Sequence, residues 1–288
     1  MAFMAERASS TTALGVAALR AAHQLVDDEP KILNDPVSLQ ILDEQALQQI
    51  RSRPASLSAP WVLGLRSHVL LRSRYAEDRL AEAVQRGVRQ YVSLGAGFDT
   101  FAYRQPQWAQ SLRIFEVDHP ASQQAKRARL ESAGVEVPPN VEFVAIDFEH
   151  VSLREGLAAS RLDHSRPAFF SCLGVLVYLT EEAADAVFRL VASFPASSEI
   201  AFTFSTPESS LERGEAERRA AMAAMVEGMG EPWRTFFEPD ALRQRLRELG
   251  FSQISMLSPE EAEEKYFRGR RDGLRPPRRG QIASAITG

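Results

Sequence analysis

A glycine turn and two carboxylates, each closing an apolar run, are the residues of this chain with chemistry in reach. Tyr91 to Leu94 leads straight into Gly95-Ala96-Gly97, and a second apolar run ends in Asp118, 23 positions after Gly95. A glycine turn lets the backbone bend sharply and come close to a ligand. A carboxylate at the tip of the following strand can accept hydrogen bonds from both hydroxyls of a ribose. A third run, closing at Asp147 with Phe148 beside it, offers an acceptor for an exocyclic amino group and a ring to cover a base. These tips describe a nucleoside-bearing cofactor, and the third one suits adenine.

The turn itself separates two such cofactors. A dinucleotide fingerprint has a third glycine three positions after Gly97, where the helix packs tightly on the strand to hold a pyrophosphate. Here that position is Thr100. S-Adenosylmethionine has no phosphate to cradle and tolerates the bulkier residue. Its amino-acid carboxylate wants a guanidinium, and Arg72 and Arg74, on the helix before the first strand, are placed to supply one. Each residue also has a plain structural alternative: a simple turn for the glycines, helix N-caps for Asp118 and Asp147, and a surface partner for Glu77 in the case of Arg72.

The elements that must position these residues follow from periodicity. The first 90 residues read as helices, at about 12–26, 36–50 and 61–88, with Asn34-Asp35-Pro36 as a helix entry. From 89 onward short apolar runs alternate with helical stretches, the pattern of βαβ units and a parallel sheet. Strands are predicted at 90–95, 113–118, 141–146, 167–173, 199–205, 251–257 and 281–286. Helices are predicted at 119–132, 152–160, 180–193 and 239–249, and Ser258-Pro259-Glu260-Glu261 fits a capping box. The expected fold is therefore α/β, a Rossmann-like, doubly wound and mostly parallel sheet. Residues 1–88 form an N-terminal helical cover, and 89–288 form the core. A helical cap is inserted at about 206–238, where Met222, Met225 and Met229 precede Trp233.

Composition narrows the partners. With 288 residues, 44% hydrophobic and 25% charged, the chain can bury a full core. A net charge of −4 gives no overall attraction to nucleic acid or to an anionic membrane, so a small-molecule partner is expected. Cys172 is the single cysteine, and five scattered histidines show no zinc spacing, so neither a disulfide nor a metal is expected. The apolar stretch Ala13 to Leu19 is too short to span a bilayer and suits an amphipathic helix, which favours a cytoplasmic protein. The arginine-rich piece Arg268 to Arg279 reads as a solvated loop.

Several strings resemble one known group. They are Thr12-Ala13-Leu14 through Arg20-Ala21, Asn34-Asp35-Pro36, Arg72-Ser73-Arg74-Tyr75-Ala76-Glu77-Asp78, Leu94-Gly95-Ala96-Gly97-Phe98-Asp99-Thr100-Phe101-Ala102-Tyr103-Arg104, Phe115-Glu116-Val117-Asp118-His119-Pro120 and Val175-Leu176-Val177-Tyr178-Leu179. Together they resemble the class I S-adenosylmethionine-dependent methyltransferases related to leucine carboxyl methyltransferase and to polyketide O-methyltransferases. The resemblance covers most of the chain. It implies that Arg72 holds the methionine carboxylate, that Gly95, Ala96 and Gly97 line the cofactor, that Asp118 with His119 beside it takes the ribose, and that Asp147 and Phe148 flank the adenine. It also implies methyl transfer to an oxygen, hydroxyl or carboxyl, of a small organic molecule in secondary metabolism.

One departure from the family pattern stands out. Leu173 occupies the place of a glutamate near the cofactor's ammonium, a role that Asp99 is positioned by sequence to take over. A carboxylate acceptor needs no base, whereas a hydroxyl acceptor gains from one, and His119, His150 and Tyr178 are the candidates. Two other readings remain at this level: a protein that binds S-adenosylmethionine without turning it over, motivated by Leu173, and an NAD-dependent oxidoreductase, disfavoured by Thr100.

Overall fold

The computed structural model of the chain describes residues 2–147, 151–207, 223, 227–228, 232–277 and 281–288. Phe148, His150 and most of the expected cap, including Met222, Met225 and Met229, lie outside the described residues. Seven strands form one sheet in the order β3-β2-β1-β4-β5-β7-β6. They are β1 (Gln90–Leu94), β2 (Arg113–Asp118), β3 (Val141–Ala145), β4 (Phe169–Cys172), β5 (Glu199–Phe204), β6 (Phe251–Met256) and β7 (Gln281–Thr287). The first five run parallel, and β7 inserts antiparallel between β5 and β6. The C-terminal strand is thus interior to the sheet, which explains why Gln281 to Thr287 is buried along nearly its whole length.

Alternation along each strand sends side chains to two different cores. Val92, Leu94, Phe115, Val117, Phe170 and Phe202 share one with the helices α7 (Leu153–Ala158), α8 (Glu181–Ala192) and α9 (Pro239–Glu248). Tyr91, Ile114, Phe169 and Ala201 share the other with Ala76, Leu80 and Ala83 of the helix α5 (Pro60–Gln85). α5 is therefore a layer of the sandwich. It is fastened to β5 by Arg79 and Arg86, which both pair with the buried Glu199.

Before α5 come α1 (Ala2–Val26), α2 (Val37–Gln40), α3 (Glu44–Ser52) and α4 (Pro54–Leu57). The single helix predicted at 36–50 is divided, because Asp43 accepts from Ala46 N at 2.8 Å and so caps a fresh start. Ala17, Ala21 and Ala22 of α1 pack with Ile41, Leu47 and Ile50, and also with Phe98 of the glycine turn and Leu130 of α6 (Pro120–Ser132). The small residues of α1 bring its backbone close to that turn.

The carboxyl ends of the central strands are in step. Leu94 pairs with Val117 on one side and with Cys172 on the other, and Val117 pairs with Val144. The sheet reverses its winding between β1 and β4, so the crevice of a doubly wound fold opens beyond these two strands. One expectation changes here. Arg270 is not solvated: it is buried against Asp272 and donates to Pro30 O and Asp28 O. Among the described residues no helix is long and apolar enough to cross a membrane.

Candidate active site at the carboxyl edge of the sheet

β1 is buried throughout, and its chain turns away at Gly95 with a φ of +65°, a conformation that glycine adopts at little cost. A Cβ at Gly95 would collide with Val175, in the turn that follows β4. The turns on either side of the switch point thus pack on each other. Gly95 N and Ala96 N donate to Val117 O at 2.8 and 3.1 Å, tying the turn to β2.

Asp118, half-buried at the tip of β2, accepts from Gly97 N on one carboxylate oxygen and from His119 N at 2.7 Å on the other. It does not cap α6. His119 does, with Nδ1 accepting from Ala121 N at 3.2 Å. Each Asp118 oxygen retains a second lone pair, enough for the two hydroxyls of a ribose. Burial raises the pKa of Asp118, and the two backbone N–H groups oppose that rise. Asp147 is no cap either, since Ser152 closes the start of α7 in a capping box. Its carboxylate lies 3.8 Å from His119 Nε2, which joins the second and third tips.

Arg72 reaches the same edge from α5. Its guanidinium rests on Gly174, two residues beyond β4, where φ is +74° and any Cβ would clash with it. Among the described residues no carboxylate pairs with it. Glu77 is held by Arg104 in a two-point ion pair, and Arg74 is exposed and bound to Asp78 at 2.9 Å. Of the two arginines expected to serve the site, only Arg72 is placed to do so. Burial, followed by the nearby charge of Arg20, lowers Arg72 to about 10, while Tyr178 and Asp99 work in the opposite direction. A half-buried guanidinium with no anion of its own among the described residues can receive one.

Leu173 turns out to be a packing residue, set against the cluster of Tyr91 and Phe169. Asp99 accepts from Phe101 N at 3.0 Å, shaping the end of the turn within electrostatic reach of Arg72. Thr100 is buried, and its Oγ1 accepts from Arg104 Nε at 3.2 Å, so the third-glycine position is filled by a side chain with a task of its own.

A family model described as "Leucine carboxyl methyltransferase" matches residues 13–192. The chain belongs to the leucine carboxyl methyltransferase family. A Bacillus subtilis (strain 168) protein named "Putative S-adenosyl-L-methionine-dependent methyltransferase YktD" is 30% identical over 94% of this chain and 95% of its own. A similarly named protein of Mycolicibacterium paratuberculosis (strain ATCC BAA-968 / K-10) is also 30% identical, over 63% of this chain and 59% of its own. Among solved structures, a DUF574 family protein from Streptomyces avermitilis MA-4680 aligns with a TM-score of 0.52 at 19% identity, covering 83% of this chain and 90% of that one. That likeness shows the fold. Family membership makes the chain an S-adenosylmethionine-dependent methyltransferase.

The residues present fit that cosubstrate. The Arg72 guanidinium beside Gly174 and the carboxylates of Asp118 and Asp147 stand along one edge of the sheet. Beyond them, three groups escaped the sequence reading. Arg20 of α1 donates to Phe98 O and faces Asp35 at 3.0 Å, and Asp35 also faces Arg104 at 3.4 Å. This buried chain of charges, completed by Glu77, clamps α1 and the Asn34-Asp35-Pro36 loop over the glycine turn of the methyltransferase. An arginine on the alanine face of α1 was the available signal. The third group is His68, one helical turn before Arg72. Its Nδ1 is buried without a hydrogen-bond partner among the described residues. A spacing of four on one helix, which puts two side chains on the same face, would have found it.

Proposed function

We propose that this methyltransferase transfers the methyl group of S-adenosylmethionine to an oxygen of a small organic molecule, in the cytoplasm and in secondary metabolism. The observation that carries the reading is Arg72, a half-buried cation lying on Gly174 at the switch point, with Asp118 on the same edge of the sheet. In this reading Arg72 holds the methionine carboxylate, Gly95, Ala96 and Gly97 line the cofactor, Asp118 and His119 meet the ribose, and Asp147 and Phe148 flank the adenine. Oxygen as the acceptor atom is supported by the family description, which names a carboxyl group. Residues 1–88 act as the cover and residues of about 206–238 as the cap of a core spanning 89–288.

The sulfonium supplies an electrophilic methyl group. What remains for the chain is to hold the acceptor oxygen in line with the carbon–sulfur bond and to keep water away. The N-terminal clamp serves exclusion: a Cβ at Gly97 would touch Ala13 of α1 at 3.4 Å, so α1 lies directly on the turn. The NAD-dependent alternative is disfavoured by the engaged Thr100 hydroxyl.

The test is isothermal titration with S-adenosylhomocysteine and with NAD, followed by incubation with S-adenosylmethionine and matched panels of phenols, alcohols and carboxylic acids. Binding of S-adenosylhomocysteine but not NAD, with release of S-adenosylhomocysteine in the presence of an acceptor, is expected. Tight binding with no turnover across the panels would favour a sensor instead, the reading that Leu173 motivates.

A further inference from the structure

We propose that His68 is the residue that accepts the proton of a hydroxyl acceptor, so that the methyl acceptor of this enzyme is an alcohol or phenol. The proposal rests on the reading of Arg72 as the anchor of the methionine carboxylate. His68 lies one turn away on α5, about 6 Å along the axis, comparable to the span from a methionine carboxylate to its sulfur. Neither of its ring nitrogens hydrogen-bonds among the described residues, and Nδ1 is enclosed. The imidazole is half-buried, and an enclosed ring nitrogen left without a partner costs free energy that a ligand could recover.

The other candidates are engaged or sit elsewhere. His119 spends Nδ1 on the cap of α6 and turns Nε2 toward Asp147, on the nucleoside side of the crevice. His23 is wholly buried between Asp27 and the backbone N–H of Ile32, at 2.8 and 3.0 Å. His150 lies outside the described residues. Tyr178, in the turn after β4, is within electrostatic reach of Arg72, as His68 is. Trp233 is carried beside that turn by hydrogen bonds from Arg234 N and Thr235 N to Val177 O, at 2.7 and 3.3 Å. Its indole N–H is also buried and unpartnered among the described residues, a donor available to an acceptor oxygen.

Burial, and then the charge of Arg72, pushes His68 down to about 3, so it enters the reaction neutral. Arg72 is in turn faced by Arg20 from α1, Asp99 from the glycine loop and Tyr178. As the acceptor oxygen bonds to the methyl carbon, the carbon–sulfur bond breaks with its electron pair passing to sulfur, and the hydroxyl proton passes to His68 and then to water. The positive charge on sulfur disappears in that step. Loss of that charge makes the imidazole easier to protonate at the moment the proton is released.

The test uses the full chain labelled with 15N-histidine, with His68→Asn to assign the resonances. On addition of S-adenosylhomocysteine, both ring nitrogens of His68 should shift while the ring stays neutral at pH 7. In kinetics with the phenol panel, His68→Asn should lower kcat at least 100-fold with KM held within about threefold, and leave S-adenosylhomocysteine affinity unchanged. Ring nitrogens that do not respond to S-adenosylhomocysteine, an equal loss of cofactor affinity in the variant, or methylation of carboxylic acids alone would each overturn the proposal. Failure of S-adenosylhomocysteine to bind the wild-type protein would overturn the underlying function as well, and is distinguishable because it appears before any variant is made.

Discussion

Asp118 and Gly174 show how much a single position carries at this edge. Asp118 ties the turn together through Gly97 N and His119 N while keeping lone pairs for a ligand. Replacing it by alanine should weaken S-adenosylhomocysteine binding at least tenfold, about 1.4 kcal/mol or more, as read by calorimetry. Gly174→Ala places a methyl group where the Arg72 guanidinium lies and imposes a left-handed φ on a residue with a Cβ. The strain costs roughly 1–3 kcal/mol, and the same calorimetry should show affinity falling with it, whereas the urea midpoint alone would fall if Arg72 had no part in binding. The glycine turn and Asp118 were legible in the sequence because strand-then-glycine and strand-then-carboxylate are local patterns. Gly174 was not, because its need for glycine comes from an arginine about one hundred residues earlier in the chain.

At the scale of elements, the strands and most helix starts follow from alternation and capping residues, and the sheet they build brings the strand tips into line. What local patterns do not contain is the packing of α1 onto the turn. That contact depends on Arg20, Asp35, Arg104 and Glu77, drawn from four separate segments and held together only in the folded chain. Asp35 is the hinge of the set, buried between two arginines. Asp35→Ala leaves Arg20 without its anion and Arg104 with Glu77 alone, and should cost about 3–5 kcal/mol in urea denaturation, with α1 becoming the first segment to exchange its amide protons. The position of β7 was equally hidden, since alternation identifies a strand but not its neighbours, and an interior antiparallel place was decided by pairing with β5 and β6.

For the whole molecule, stability should depend on pH through its buried imidazoles. The folded pKa of His68, about 3, lies below its unfolded value of about 6.5. Between those values the unfolded chain binds a proton that the folded chain excludes, so the contribution of neutral His68 is complete above pH 6.5 and drains away as pH falls. From pH 6.5 to 5 the loss is about 2 kcal/mol. His23, also lowered by burial, acts in the same direction. Glu77, Glu116 and Glu199 are raised by burial and act in the opposite one. The difference between wild type and His68→Asn isolates the His68 share: urea midpoints measured from pH 7.5 to 5 should fall less steeply in the variant, and parallel curves would show that His68 titrates as it does in water.

The central claim, that one sheet edge grips S-adenosylmethionine by its carboxylate and its ribose, is tested most directly by the crystal structure of the chain with S-adenosylhomocysteine. The account places the ligand carboxylate on Arg72 above Gly174 and the ribose hydroxyls on Asp118, with the sulfur on the His68 side of the crevice. A ligand bound away from β1 and β4, or one whose carboxylate leaves Arg72 uncontacted, would contradict it.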